Sequence, residues 1–313
     1  MREPGAAPDQ VAALPGWGAD SHDAALAVWR AAVAPDVAAA LAAPMPADGA
    51  GAARRWWETR FRPVLIGDPA GALLTGYYEP VIAAAASPGP DHRVPLLAPP
   101  PADAEGAPLP DRAAIMAGAL AGRGLELFWL ADPVDLFFLQ VQGSGRLRLP
   151  DGRMVRVGYA GRTGHDYVSI GRILVAEGHL PREGISADAV KHWLRADPVR
   201  GAAMMARNPS YVFFREIGGL GDADGPIGAM GLALTAHRSL AVDPAHHPFG
   251  SAIWVEAAGL APRLMVAMDT GSAIRGPQRG DIFFGTGEAA GVAAGQLATS
   301  GRLVRLVPRE DVA

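Results

Sequence analysis

From Tyr211 to Pro308 the chain repeats one pattern. Short runs of β-branched and aromatic residues are each closed by glycine, proline or aspartate. The runs are YVFFREI, GAMGLALTA, SLAVDP, GSAIWVEA, PRLMVAMD, DIFFGT and RLVRLVP. Strands this short, at roughly ten-residue spacing, are the signature of a small barrel or sandwich. One helix, Glu288 to Leu297, is expected to interrupt them. This half of the chain therefore reads as a β-rich module.

Within it, VAMDTGSAIRGPQRGDIFFGT (266–286) concentrates the chemistry. Asp269 ends one apolar run, and Asp281 directly precedes another, Ile282-Phe283-Phe284. Glycines 271, 276 and 280 punctuate the turn between them. Carboxylates at strand margins beside flexible backbone are common active-site groups. An aspartate against Ile-Phe-Phe is partly dry, and desolvation raises its pKa, as a general acid requires. The alternative is that both aspartates only bond turn amides.

Upstream, Ser21 caps a helix beginning near His22, and residues 51–65 suggest a second helix whose Trp56, Trp57 and Phe61 belong to a core. Residues 1–20 read as irregular. LLTGYYEPV (73–81) reads as a strand. Between Ser87 and Arg112 stand eight prolines, a density that forbids regular helix or a central strand. Residues 134–160 predict a three-stranded meander, VDLFFLQVQ, RLRLP and MVRVGYAG, turning at GSG and DG. Helices are expected at 167–177, 187–196 and 199–206.

Composition narrows the function classes. The net charge is -4 with no long basic run, so nucleic acid is not an expected partner. There are no cysteines, which removes disulfides, thiolate metal sites and a Cys nucleophile. His246 and His247 are adjacent and face opposite ways in a strand, so no metal and no cofactor are expected. Walker, Rossmann, zincin and Gly-x-Ser-x-Gly patterns are missing. No run reaches the ~18 apolar residues of a membrane span; the richest, Ala24 to Ala43, is broken by Arg30, Pro35 and Asp36. MREPGAAPDQ lacks the basic start and apolar core of a signal peptide.

What remains is carboxylates with amides and aromatics. Gln140 and Gln142 are expected on one face of their strand, with Ser144 continuing it. Such a row suits sugar hydroxyls, or is a solvated strand face. Tyr77, Tyr78, Tyr159 and Tyr167 either stack on sugar rings or pack.

The run LALTAHRSLAVDPAHHPFGSAIWVE followed by VAMDTGSAIRGPQRGDIFFG resembles the three-aspartate domain of peptidoglycan-active proteins, its aspartates matching Asp243, Asp269 and Asp281. TGYYEP (75–80), FFLQVQGSGRLRLPDG (137–152), VGYAGRTGHDYVSIGRIL (157–174) and NPSYVFFRE (208–216) resemble the insert domain of the membrane-bound lytic murein transglycosylase A family. The resemblance spans residues 60–308, with the blocks in the same order. It implies a mainly β fold with some α: a double-psi β-barrel built from 1–81 and 212–313 with N-terminal helices, and a β-rich glycan-binding domain, 82–211, inserted between them. A groove between the two would hold the glycan.

The implied reaction is non-hydrolytic cleavage of the MurNAc-β-1,4-GlcNAc bond, leaving a 1,6-anhydro end. The resemblance places the catalytic acid on Asp281 and leaves Asp269 as its supporting group. It offers Thr75, Tyr77, Gln140, Gln142, Ser144 and Arg275 as substrate contacts, and Asp243 as structural. The expected partners are peptidoglycan glycan strands and cell-wall synthesis or division proteins, with the protein itself a monomer. The implied location is periplasmic or outer-membrane associated, although Ser272 replaces a common family glycine and no cysteine is present to carry a lipid. Two alternatives stand beside this reading: a hydrolytic glycosidase pairing Asp281 with Asp269 or Glu79, and a non-catalytic cell-wall binding module.

Overall fold

The computed structural model describes residues 8–33, 51–101, 108–183 and 185–309. Residues 1–7, the start of the segment read for a leader, lie outside the described residues, as does the second half of the Ala24 to Ala43 run. No described helix is long and apolar enough to cross a membrane.

In chain order the elements are α1 (His22–Ala32), α2 (Ala52–Arg60), β1 (Phe61–Leu65), β2 (Leu73–Glu79), β3 (Val81–Ala85), β4 (Val94–Leu97), α3 (Arg112–Met116), β5 (Glu126–Leu130), α4 (Pro133–Gln142) and β6 (Ser144–Arg148). Then follow β7 (Met154–Arg162), α5 (Ile170–Ala176), α6 (Ala187–Ala196), α7 (Pro198–Ala206) and β8 (Val212–Ile217). The last part holds β9 (Ser239–Val242), β10 (Ala252–Ala257), β11 (Arg263–Asp269), β12 (Arg279–Thr286), α8 (Glu288–Gly295), β13 (Ala298–Thr299) and β14 (Gly301–Pro308).

These elements form a mixed α/β chain with two sheets, of eight and six strands. Two compact units result. The first is Met1–Tyr77, Ile227–Gly285 and Gln296–Ala313; the second is Tyr78–Pro226 and Thr286–Gly295. The second unit runs past residue 211 to Pro226, because β8 completes the six-stranded sheet by pairing with β7, Tyr159 against Phe214.

In the first unit the sheet order is β1-β14-β10-β11-β9-β12-β2-β13. Its core is aromatic. Trp17, Trp57, Trp254 and Phe61 are almost wholly buried, and Trp29 and Trp56 pack against them. Trp57 and Phe61 stand 4.8 Å apart between ring centres. The tryptophans of the second helix are thus core residues, and even the N-terminal stretch read as irregular contributes short turns that bury Val11 and Trp17. β11 and β9 run parallel, with a bulge between Ala267 and Asp269. The strand expected at 228–236 is instead a tight turn held by the Ile227–Ala233 bridge.

In the second unit the order is β4-β5-β3-β6-β7-β8. β4 crosses the proline-rich stretch but is an edge strand, the position in a sheet that tolerates a proline such as Pro95. Residues 102–107 of that stretch lie outside the described residues. The clearest departure from expectation is α4. VDLFFLQVQ alternates like a strand, yet it is helical. Asp132 caps it by accepting from Val134 N (2.8 Å), Pro133 occupies the first turn, and Gly143 ends it at φ 79°. Cap, proline and left-handed glycine outweigh strand propensity here.

Candidate active site

β9 is the organising strand. Ala241 is the register partner of Asp269 on one side and of Asp281 on the other. The two carboxylates therefore sit in one row across three strands, with Cα atoms roughly 10 Å apart from strand spacing. The bulge before Asp269 shifts that residue into the row.

β2 adjoins β12 and brings Thr75 to Asp281. The Thr75 hydroxyl donates to Asp281 Oδ1 at 2.5 Å. Arg279 Nη2 donates in turn to Thr75 Oγ1 at 2.8 Å. Arg279 lies two residues before Asp281, so both project from one face of the strand. Sequence reasoning passed over Arg279, and that two-residue spacing was the available signal.

Asp269 is more heavily bonded. It accepts from Ala229 N and Thr270 N, both at 2.9 Å, and from the Tyr77 hydroxyl at 2.9 Å. Tyr77 is buried and its ring lies 5.4 Å from that of Phe283. Burial, reinforced by Asp269, holds its hydroxyl well above the ordinary tyrosine value, so it stays a donor. Asp269 is itself raised, because burial outweighs its three bonds.

Asp281 keeps a partial opening to solvent while protein crowds its other sides. That crowding pushes its carboxyl up to about 6; Arg279 and Thr75 pull it down, and Asp269 pushes it further up. The result is a carboxyl that exchanges a proton near neutrality, beside a second carboxyl fixed by three donors.

Asp243 closes the turn by accepting from Ala245 N and Gly276 N, at 3.2 and 2.8 Å. Arg275 is mostly exposed and lies 4.0 Å from Asp243. His247 is buried with Nε2 2.6 Å from the Pro277 carbonyl.

The remaining sequence candidates lie in the second unit. Since α4 is a helix, Gln140 and Gln142 share no strand face. Gln140 turns inward: it accepts from Arg112 at 2.6 Å and donates to the Val212 carbonyl at 2.9 Å. Ser144 is buried opposite Gly158. Gln142 accepts from Tyr78 N at 3.1 Å and borders a pocket of about 280 Å³ with Tyr78, Ile82, Asp135, Phe138 and Lys191. Glu79 is 1% exposed, accepting from Arg146 and the Thr286 hydroxyl, both at 2.7 Å. Both bonds fall on Oε2, and Arg156 stands 3.9 Å from Oε1, so Glu79 is a buried carboxylate held between two arginines.

Residues 73–215 match the family model described as MltA specific insert domain, and residues 238–307 match the 3D domain. The membrane-bound lytic murein transglycosylase A of Vibrio cholerae is 34% identical over 254 residues, 77% of this chain and 67% of that protein. A solved membrane-bound lytic murein transglycosylase from Agrobacterium tumefaciens superposes with a TM-score of 0.86 at 34% identity, covering 97% of this chain and 99% of that one. The Escherichia coli MltA solved with bound chitohexaose gives a TM-score of 0.73 at 28% identity, covering 98% and 93%.

Proposed function

The chain belongs to the membrane-bound lytic murein transglycosylase A family, enzymes that act on peptidoglycan, and from that premise we propose how its residues perform the cleavage. Asp281 is the single acid–base. Its protonated carboxyl gives a proton to the oxygen leaving C1 of N-acetylmuramic acid as the C1–O bond breaks. The C6 hydroxyl of the same sugar then closes on C1, and its proton passes to the Asp281 carboxylate. No water is consumed, one proton is returned, and the product is a 1,6-anhydro end.

The observation that carries this reading is the contrast between the two aspartates. Asp281 accepts one hydrogen bond, from the Thr75 hydroxyl; Asp269 accepts three, two from backbone N–H groups and one from the Tyr77 hydroxyl. A carboxylate held by several donors orients and tunes, while a sparsely bonded, half-dry one transfers protons. Arg279 fixes the Thr75 hydroxyl so that its hydrogen points to Oδ1, which leaves Oδ2 to carry the acid proton. Ordinary glycosidases need a second free carboxylate. Here Glu79 is buried and ion-paired within its own unit and Asp269 is held by three donors, which favours the one-carboxylate route over hydrolysis.

The first unit reads as a double-psi β-barrel assembled from both ends of the chain. The parallel β9–β11 pair and the return of β1 and β2 to the strands after residue 238 support this. The second unit, which begins at Tyr78 within β2, supplies glycan contacts, with Gln142 and the pocket it borders as the strongest candidates and buried Ser144 a weaker one. Thr75 and Tyr77 act through the two carboxylates, and Arg275 stays with the Asp243 turn. Glycan strands are the partner, at the cell envelope.

Incubation with peptidoglycan sacculi and mass spectrometry of the products tests the reaction. Anhydro-muropeptides are expected from the native chain and are expected to vanish in Asp281→Asn. Reducing ends that have gained water would overturn it in favour of hydrolysis, and binding to sacculi without product would favour a binding module.

A further inference from the structure

The second unit holds a cavity that the glycan reading does not use. It encloses about 440 Å³ between β4, β5, α3 and α4, within the size range of small-molecule sites. Leu97, Ile115, Leu120, Trp129 and Leu136 make its walls apolar. Arg112 also borders it and is only 4% exposed.

Arg112 is unusual for a buried cation because its hydrogen-bond partners are all neutral. Nε donates to the Asn208 carbonyl at 3.0 Å, Nη1 to Gln140 Oε1 at 2.6 Å and Nη2 to the Ser210 carbonyl at 2.6 Å. The guanidinium lies against the rings of Phe137 and Tyr211, 4.6 and 5.3 Å from their centres. Burial pulls it down to about 10, still charged at neutral pH. A guanidinium has five N–H donors, so each terminal nitrogen keeps one hydrogen. Among the described residues no carboxylate takes them. Exposed Arg93 and half-buried Glu126 border the cavity too and offset one another, which leaves Arg112 as the net charge among the described residues that line it. Buried charges are ordinarily paired, since an unpaired one forfeits hydration without return.

We propose that this cavity binds a small monocarboxylate with an apolar body. The carboxylate takes the two remaining Arg112 hydrogens, and the body lies against Ile115, Leu97 and Trp129. The chemistry favours this anion over a neutral amphiphile because a guanidinium pairs with a carboxylate's two oxygens by charge-assisted hydrogen bonds. The site is independent of the glycan reading and stands or falls apart from it.

Calorimetric titration of the full chain with octanoate, octanol and octylamine tests the proposal. Octanoate is expected to saturate one site, at least about tenfold tighter than octanol, with octylamine not binding. Arg112→Met is expected to remove the preference for the acid. Because that change also strips three bonds from Gln140 and the 208–210 segment, Met116→Trp serves as the second variant. Met116 is 43% exposed on α3 and lines the cavity, so tryptophan there fills the space while Arg112 and the fold remain. It is expected to weaken octanoate at least about tenfold without altering the melting temperature of the unliganded protein. Equal affinity for octanoate and octanol, no binding heat up to about 5 mM octanoate, or unchanged affinity in Met116→Trp would each overturn the proposal.

Discussion

Asp281 is a residue whose catalytic use and energetic cost are the same fact. Its carboxyl is pushed from 3.8 up to about 6 by burial, so the folded protein holds a proton there that the unfolded chain has released. The sign follows from that difference. Stability is greatest on the acid side and falls as pH rises from about 4 through 6, by on the order of 2–3 kcal/mol at most, before screening by its partial opening to solvent. Asp281→Asn removes the ionisation, so the variant is expected to melt higher than the native protein at pH 7 and equally at pH 4, while making no anhydro product. Scanning calorimetry at the two pH values checks this, and an Asn variant less stable at pH 7 would contradict it. Activity has the same origin with the opposite use. The acid must start protonated, so kcat/KM is expected to fall as pH rises past about 6. Thr75 and Arg279 both lower the Asp281 pKa. Thr75→Val is therefore expected to shift that limb upward, and to cost about 10–100-fold in kcat/KM through lost orientation of the carboxyl. A pH–rate profile separates the two effects, since simple misfolding lowers the rate without moving the limb.

At the scale of elements, the strand pattern after Tyr211 was readable because strands end at residues that cannot continue a ladder. β8, β10, β11, β12 and β14 all lie where alternating or continuous apolar runs stop at glycine, proline or aspartate. The aspartates at those stops were readable for the same reason. The row that joins them was not, because it depends on the β9 register and on the bulge before Asp269, and no local pattern encodes pairing across strands. Nor was the reach of Tyr77 and Thr75 from β2, which lies about two hundred residues earlier in the chain. α4 teaches a different lesson. Its residues prefer strands, but Asp132-Pro133 opens a helix and Gly143 closes one, and the ends overruled the middle. Gly143 provides the check. Its φ of 79° is a left-handed helix stop, which alanine adopts at a cost of about 1 kcal/mol. Gly143→Ala is expected to lower stability by that amount in urea melts; a strand over 134–142 continuing into β6 would instead gain from the change.

The whole molecule is threaded so that its two units face different folding problems. Most of the second unit is one continuous segment, Tyr78–Pro226, and its β6–β7 hairpin pairs Ser144 with Gly158. The first unit closes only when the chain ends meet. β1 pairs with β14, Phe61 against Pro308, and β14 must also seat against β10, where Gly301 passes so close to Glu256 that an added Cβ would lie 2.1 Å from its carbonyl oxygen. Contacts between distant residues require loop closure before they return any stability, which makes them slow. Pulse-labelled hydrogen exchange during refolding is therefore expected to protect β6, β7 and β8 before β1, β10 and β14. Gly301→Ala carries the argument further. Leu74 Cδ1, 2.6 Å from that Cβ, can give way, but the Glu256 backbone cannot, so the variant is expected to slow or abolish the late phase and leave the early protection of β6–β8 intact. Simultaneous protection of both sheets, or an early phase that the substitution also slows, would mean that the second unit cannot form ahead of the strands that bear Asp269 and Asp281.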